Sequence, residues 1–365
     1  VEEVDRALHE QFMFEADGRK VGIFALLLHA DDGGNDRDYV PTEPDYLAHA
    51  RRAIASLDAK GAELIIGLTH VHLWTDLEIA ELRAEYPQFM FIVGGHEHEP
   101  EYSELREDRA AVMKGASNAR RIWRIDVTFD AEAMPSIDAQ MIDIDTTIVA
   151  DADYAVLEDK WRNRLLERFP FLTATVGEAA VPLDSREVTV RNQESNWGNF
   201  IVDQMRGAFG KPPADLAFIN GGTLRIDDYI IGDITFEDIG RTVGFSSYLR
   251  HMMMTGEEFR SVLEAGYRGA GPSKGYFPQV SGFRVCVDRS RPEGERIVSL
   301  QVPDDGSWQE IAAEHEYGVV VPDFLYRGGD GYVFPQGREA SRPGSELVYL
   351  VLDAVINAQA EGQAI

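Results

Sequence analysis

The chain has a single cysteine among its 365 residues, Cys286, so it can form no internal disulfide. That thiol lies in the apolar run Phe283-Arg284-Val285-Cys286-Val287, which predicts an inert buried side chain rather than a nucleophile. The missing disulfide is neutral on compartment, because secreted proteins also do without one. Long apolar runs are absent too: none approaches the roughly 20 residues that a membrane-spanning helix needs. The opening Val1-Glu2-Glu3-Val4-Asp5 has neither the basic start nor the apolar centre of a secretory signal, and no initiator Met, which leads us to expect that a segment upstream has been removed. Basic residues are scarce, 35 against 63 acidic ones, for a formal net charge of −28. Such a field repels nucleic-acid backbones and anionic membranes over a Debye length, so neither is expected as a partner. A small anionic substrate would need a local cluster of arginine or metal. No internal repeat and no low-complexity tract is present.

Hydrophobic residues make up 44% of the chain, enough to bury more than one core, and the length suggests roughly two domains. Lys20 to Leu28, Ala62 to Leu68 and Phe89 to Val93 are continuous apolar runs, as strands covered on both faces require. Tyr46 to Leu57 has helical spacing, and Thr75-Asp76-Leu77-Glu78 reads as a capping box that opens a second helix running to about Tyr86. The resulting strand-helix-strand-helix-strand order predicts an α/β layered domain over 1–150, closed by hairpin strands between Arg121 and Ile144. Asp151 to Phe169 predicts a long amphipathic helix, with Tyr154, Leu157, Trp161 and Leu165 on one stripe, as a linker over 151–172. A second domain of mixed helices and strands, among them helices over Asn199–Phe209 and Gly256–Ala265, fills 173–365.

Three of the nine histidines fall at two successive strand ends, in Leu68-Thr69-His70 and in Gly94-Gly95-His96-Glu97-His98. Neighbouring parallel strands would bring these ends within several ångströms, where imidazoles suit Zn²⁺, Mn²⁺ or Fe. The paired glycines would let the backbone bend so that His96 and His98 face inward. One such histidine alone reads as a surface or capping residue, whereas three in this pattern favour a metal site. His72 and Glu97 read as outward residues or as supports behind the ligands.

The two segments resemble the metallophosphoesterase pattern of the 5′-nucleotidase family, a Leu-Thr-His followed by an Asp and then a Gly-Gly-His-x-His. Asp76 matches that Asp, although a favourable acid in the first turn of a helix explains it equally. The family's earlier elements, an Asp-x-His, a bridging Asp and a Gly-Asn-His-Glu, have no counterpart in residues 1–67. The resemblance therefore implies an incomplete metallophosphoesterase domain, with the bridging carboxylate and the catalytic His-Asp dyad upstream and no catalytic residue in this chain.

The second half resembles the family's C-terminal domain through five motifs in order. Arg191-Asn192-Gln193-Glu194-Ser195-Asn196-Trp197-Gly198-Asn199 is similar to an Arg-x-x-Glu-x-x-x-Gly-Asn segment, and Asn220-Gly221-Gly222-Thr223-Leu224-Arg225 to an Asn-Gly-Gly-x-x-Arg. Phe245 stands eleven residues before Gly256, Gln279 to Arg284 follows, and Phe324 to Tyr332 is similar to Phe-x-x-x-Gly-Gly-Asp-Gly-Tyr. Chemistry points the same way. Arg191 and Arg225 carry planar forks that suit phosphate, placed among small residues such as Gly222 that allow close backbone approach. Asn220 can hydrogen-bond a phosphate or ribose oxygen, Asp330 can accept from ribose hydroxyls, and Phe245 and Phe324 could sandwich a base for about 1–3 kcal/mol. Singly, each Phe reads as core, each Arg as a solvated partner of an acid, and Gly-Gly-Asp-Gly as a turn. Five motifs in order outweigh those readings. Tyr332, Trp197 and Met252-Met253-Met254 are expected to pack.

The resemblance implies two-metal hydrolysis of nucleoside 5′-phosphates, with two divalent ions, Zn or Mn, in the intact enzyme. His70 and His96 would hold one ion and His98 would lie at the other, a partial site that leaves the isolated chain impaired. Two other readings stay open: a nucleotide-binding module without catalysis, and a 2′,3′-cyclic-nucleotide phosphodiesterase or UDP-sugar hydrolase of the same fold. The expected partners are a nucleoside 5′-phosphate and the missing N-terminal fragment. A periplasmic or extracellular location is implied by the resemblance alone.

Overall fold

Apolar continuity in the first hundred residues becomes a sheet buried on both faces. The computed structural model describes residues 11–28, 45–130, 134–269, 274–338 and 340–365; the opening Val1 to Asp5 lies outside them. Two compact units divide the chain, Val1–Asp151 and Ala152–Ile365. In the first, β1 (Gln11–Ala16), β2 (Arg19–Leu27), β3 (Leu64–His70), β4 (Phe89–Gly94), β5 (Glu101–Ser103) and β6 (Ala111–Lys114) form a six-stranded sheet of order β1-β2-β3-β4-β6-β5. The four inner strands run parallel, and β1 and β5 pair antiparallel at the edges. Helix α1 (Tyr46–Ala59) turns Tyr46, Ala50, Ile54 and Leu57 onto one sheet face, against Phe24, Ile65, Phe89 and Ile92. The other face carries Val21, Leu64, Met90, Phe91 and Met113 against Trp123, Ile125 and Val127 of the antiparallel hairpin β7 (Arg121–Phe129) and β8 (Pro135–Asp143).

Two local expectations fail here. Strand β1 is absent from the periodicity reading, yet Asp17 (φ 48°) and Gly18 (φ 76°) make the tight turn that folds it back on β2. An Asp-Gly pair is the usual signal for such a turn, because both central residues need positive φ. Helix α2 (Leu73–Ala80) starts at Leu73, not at Thr75, and a 3₁₀ turn over Glu81–Ala84 completes it. Thr75 and Asp76 are buried inside its first turn, so they form no capping box. The free N–H of Leu73 instead donates to Glu97 Oε1 at 2.6 Å, so a carboxylate from a distant loop serves the helix start.

The second unit opens with α3 (Ala152–Arg168), none of whose residues is buried and whose Arg162 pairs with Glu237 at 3.1 Å. Next come β9 (Thr175–Asp184) and α4 (Asn196–Gly207), whose start lies three residues before the expected Asn199 because Ser195 caps it through Gly198 N–H. Strands β10 (Leu216–Asn220), β11 (Tyr229–Thr235), β12 (Leu249–Thr255), β13 (Pro278–Ser281), β14 (Arg284–Val287), β15 (Ile297–Asp304), β16 (Ser307–Glu310) and β17 (Glu316–Pro322) follow. The central sheet has the order β12-β17-β10-β13. Its strand β10 alternates between two cores: Ala217 and Ile219 meet Trp197, Ile201 and Met205, while Leu216 and Phe218 meet Phe259, Leu263 and Tyr332. Trp197 and Tyr332 pack as expected; of the methionine run, Met252 and Met254 are buried and Met253 is exposed, as alternation along β12 requires.

Cys286 corrects the sequence expectation. It is exposed, because the three-stranded sheet β14-β15-β16 buries one face only and Cys286 falls on the other. No helix among the described residues is long and apolar enough to cross a membrane.

Candidate functional site

The carboxyl ends of β3 and β4 lie side by side, with Thr69 opposite Gly94 and Gly95 N–H donating to Thr69 O at 3.3 Å. Gly94 and Gly95 serve this approach rather than a bend. A Cβ on Gly94 would sit 2.7 Å from Thr69 Oγ1, and one on Gly95 3.3 Å from His70 Nδ1. The turn itself is made by His96 (φ 87°) and His98 (φ 67°), left-handed conformations that cost a non-glycine residue on the order of 1–3 kcal/mol and persist only where the surroundings impose them. His70 and His96 meet edge to face with ring centroids 5.5 Å apart; His72, read from sequence as an outward residue or a support behind the ligands, lies against His96 with centroids 4.4 Å apart and stacks on Trp74 at 4.0 Å.

Burial, reinforced by His72, His70 and Lys114, drives the His96 imidazole down to about 3, and burial also lowers His70. Both rings are therefore neutral at pH 7, the state a metal ion needs. The carboxylates nearby are ion-paired, although neither oxygen of the buried Asp76 has a hydrogen-bond partner among the described residues. Asp76 and Glu97 both pair with the fully buried Lys114, at 2.9 and 2.6 Å. Among the described residues, no group of three or more His, Cys, Asp or Glu side chains could hold a metal ion. Facing neutral imidazoles thus fit an ion as partial ligands, and the donors that would complete its shell are not among these residues.

A second cluster forms where β10 ends. Asn220 Nδ2 donates to Asp330 Oδ2 at 2.7 Å, and the Thr223 hydroxyl donates to Asn220 Oδ1 at 2.7 Å, which fixes the amide's orientation. Asp330 has φ 50° and sits between Gly328 (φ 96°) and Gly331 (φ 66°) in a loop whose carbonyl at Asp330 accepts from Arg268 Nη1 at 2.6 Å. Burial raises the Asp330 carboxyl, opposed by the Asn220 hydrogen bond and by the charges of Arg268, Arg191 and Arg225. Arg191 is buried and ion-paired to Glu187 at 2.7 Å; Glu187 N–H in turn donates to Asp227. Arg225 lies over the Phe245 ring at 5.4 Å, and a Cβ on Gly329 would sit 2.5 Å from the Phe324 ring. Phe245 is 56% exposed and Phe324 38%, more than a core role explains. Gly222 packs against Gly275 and the Asn220 amide, where a Cβ would meet both at 3.2 Å.

Residues 175–336 match the family described as 5′-nucleotidase, C-terminal domain. The second unit thus carries a 5′-nucleotidase C-terminal domain, and the chain as a whole is similar to 5′-nucleotidases. It is 27% identical over 361 residues to the trifunctional nucleotide phosphoesterase protein YfkN of Bacillus subtilis, covering 96% of this chain and 24% of that protein. It is 29% identical over 202 residues to the 5′-nucleotidase of Bos taurus, covering 52% of this chain and 35% of the relative. The chain thus spans about a quarter to a third of the length of these curated relatives. Among solved structures, the 5′-nucleotidase precursor of Thermus thermophilus superposes with a TM-score of 0.83 at 25% identity, over 98% of this chain and 72% of that one. The 5′-nucleotidase architecture, a metallophosphoesterase α/β layer followed by the C-terminal domain, is the architecture of this chain.

In this 5′-nucleotidase fold, Arg191, Asn220, Gly222, Arg225 and Asp330 converge on one locality, with Phe245 joined to it through Arg225 and Phe324 through Gly329. His70 and His96 come together in the first unit, and His98 lies within electrostatic reach of both. Sequence reasoning missed Lys114, Thr223 and Arg268. Arg268 lies 62 residues from the carbonyl it holds and stacks on Tyr276 at 4.1 Å, so no local motif announces it.

Proposed function

We propose that the second unit binds a nucleoside 5′-phosphate and that the intact protein hydrolyses its phosphoester bond. The observation that carries this reading is the Asn220–Asp330 pair ringed by Arg191, Arg225 and Arg268, in a chain whose overall charge is strongly negative. In such a field three guanidinium groups around one carboxylate make a local site for an anion bearing hydroxyls. Arg191 and Arg225 would grip phosphate, Asp330 would accept from ribose hydroxyls, and Phe245 and Phe324 would stack on the base without selecting its identity.

His70, His96 and His98 would hold divalent ions, Zn or Mn, together with ligands outside this set. When bound, such ions supply Lewis-acid stabilisation and an activated water. The chain's own part is to keep His96 and His70 neutral through burial and to orient the substrate. With three histidines and, among the described residues, no neighbouring carboxylate free of Lys114, the chain alone would catalyse weakly. The snake-venom name of one relative, at 24% identity, supports an extracellular or periplasmic place for the protein.

Calorimetric titration with adenosine and AMP, and phosphate release from AMP, UDP-glucose and 2′,3′-cAMP in Zn²⁺ or Mn²⁺, test the reading. Binding of both ligands with AMP as the preferred substrate supports it. Failure to bind either ligand sinks it. A second reading, a nucleotide-binding module without catalysis, is favoured by the pairing of Asp76 and Glu97 with Lys114, and binding without metal-dependent phosphate release would select it.

A further inference from the structure

Lys114 ends β6 directly beside Gly94, and its ammonium is fully buried. A core position there would accept a leucine or methionine without charge, and buried lysines survive only when paired. It donates hydrogen bonds to Val71 O at 2.7 Å and Glu97 Oε2 at 2.6 Å and forms an ion pair with Asp76 Oδ2 at 2.9 Å. Each of these partners belongs to a different segment of the histidine cluster. Val71 stands between His70 and His72, Asp76 lies in the first turn of the helix that His72 precedes, and Glu97 stands between His96 and His98. Glu97 is doubly held, since its other oxygen accepts from Leu73 N–H at 2.6 Å. The two left-handed residues, His96 and His98, flank that anchored carboxylate, so its bonds restrain the strained turn from its centre.

We propose that Lys114 is the positioning residue of the histidine cluster, one buried ammonium that fixes the backbone beside His70, His72, His96 and His98 at once. Only its consequence for metal affinity rests on the metal-binding reading given above; the orientation of the imidazoles does not.

The test uses the full chain with Co²⁺ alone as probe, followed by its visible d–d absorption, together with imidazole ¹H–¹⁵N spectra of the metal-free chain and thermal unfolding. Glu97→Gln keeps the Lys114–Asp76 pair and hence the fold. It should move the His96 and His98 resonances and weaken cobalt binding about 10- to 100-fold, the usual loss when a ligand's support is removed. Lys114→Met should move the His70 resonance as well, and the double variant should be no worse than Lys114→Met, because both act through one network. Unmoved imidazole signals in folded variants overturn the proposal and leave Lys114 a core ion pair only, whatever its effect on melting. If Lys114→Met does not fold, Glu97→Gln decides by the same criterion. Moved imidazole signals in a chain that binds no cobalt uphold the positioning role and strike the metal reading instead.

Discussion

Asn220 and Asp330 stand 110 residues apart in sequence and are joined at 2.7 Å, the amide Nδ2 donating to the carboxylate. The contact ties the end of the central strand β10 to the Gly328–Gly331 loop and brings the Asp330 carboxylate among Arg191, Arg225 and Arg268. A carboxylate so placed is held by groups that a ligand's hydroxyls can join, which gives the first prediction.

Asp330→Ala removes the acceptor for ribose hydroxyls and leaves the Asn220 amide without its partner. A hydrogen bond to a charged group contributes about 1.5–3 kcal/mol, so adenosine affinity should fall roughly 10- to 100-fold. Calorimetry on the folded variant checks this, and an affinity within about twofold of the parent chain would remove Asp330 from the site.

The same carboxyl sets a pH dependence. Burial raises Asp330 above the ordinary aspartate range, so the native chain binds this proton more tightly than the unfolded chain does. Its contribution to stability is full below the ordinary aspartate value and is lost as pH rises through the raised one. Adenosine affinity should run the other way, increasing across that window, because only the ionised form accepts two ribose hydroxyls. Melting curves and titrations from about pH 4 to about pH 7 should show both trends, and Asp330→Asn should flatten them. Parallel trends in stability and affinity would contradict the assignment.

Two glycines separate fold from site. A Cβ on Gly221 would sit 2.2 Å from the Val190 carbonyl, an obstacle made of backbone, so Gly221→Ala should destabilise the chain by about 1–3 kcal/mol or more. On Gly329 the obstacle is the exposed Phe324 ring, which can swing away. Gly329→Ala should therefore melt within about 1 kcal/mol of the parent yet lose much of the roughly 1–3 kcal/mol that stacking gives, weakening adenosine and sparing inorganic phosphate. Equal losses for both ligands would mean that Phe324 does not face the base.

Much of this was legible in the chain because the signals were local. Continuous apolar runs marked β2, β3 and β4, and the histidines at their ends followed from the rule that parallel strands align their carboxyl ends. What failed was in each case set from a distance. Thr75-Asp76-Leu77-Glu78 has the form of a cap, but Glu97 reaches Leu73 across 24 residues and Lys114 draws Asp76 inward, so the helix begins earlier. The Gly94-Gly95 pair looked like a place for the backbone to bend, whereas the crowding of Thr69 and His70 against it exists only once the strands are paired. A lone lysine at the end of β6 carries no pattern at all until three segments converge on it.

Cys286 offers the last prediction and a check on how far a one-faced sheet can mislead. Its neighbours Phe283, Val285 and Val287 are apolar, and in a two-faced strand the thiol would be buried with them. In β14 the thiol instead faces out opposite Ser299, while Phe283 is buried and Val285 and Val287 pack against the core. A thiol reagent such as Ellman's should accordingly modify about one equivalent in the native chain, and unfolding should expose no further thiol. Cys286→Ser replaces an exposed side chain by one of nearly the same size, so stability should change by less than about 0.5 kcal/mol. A thiol that reacts only after denaturant is added, or a loss of several degrees in Tm on Cys286→Ser, would mean that something covers this face of β14-β15-β16 in solution.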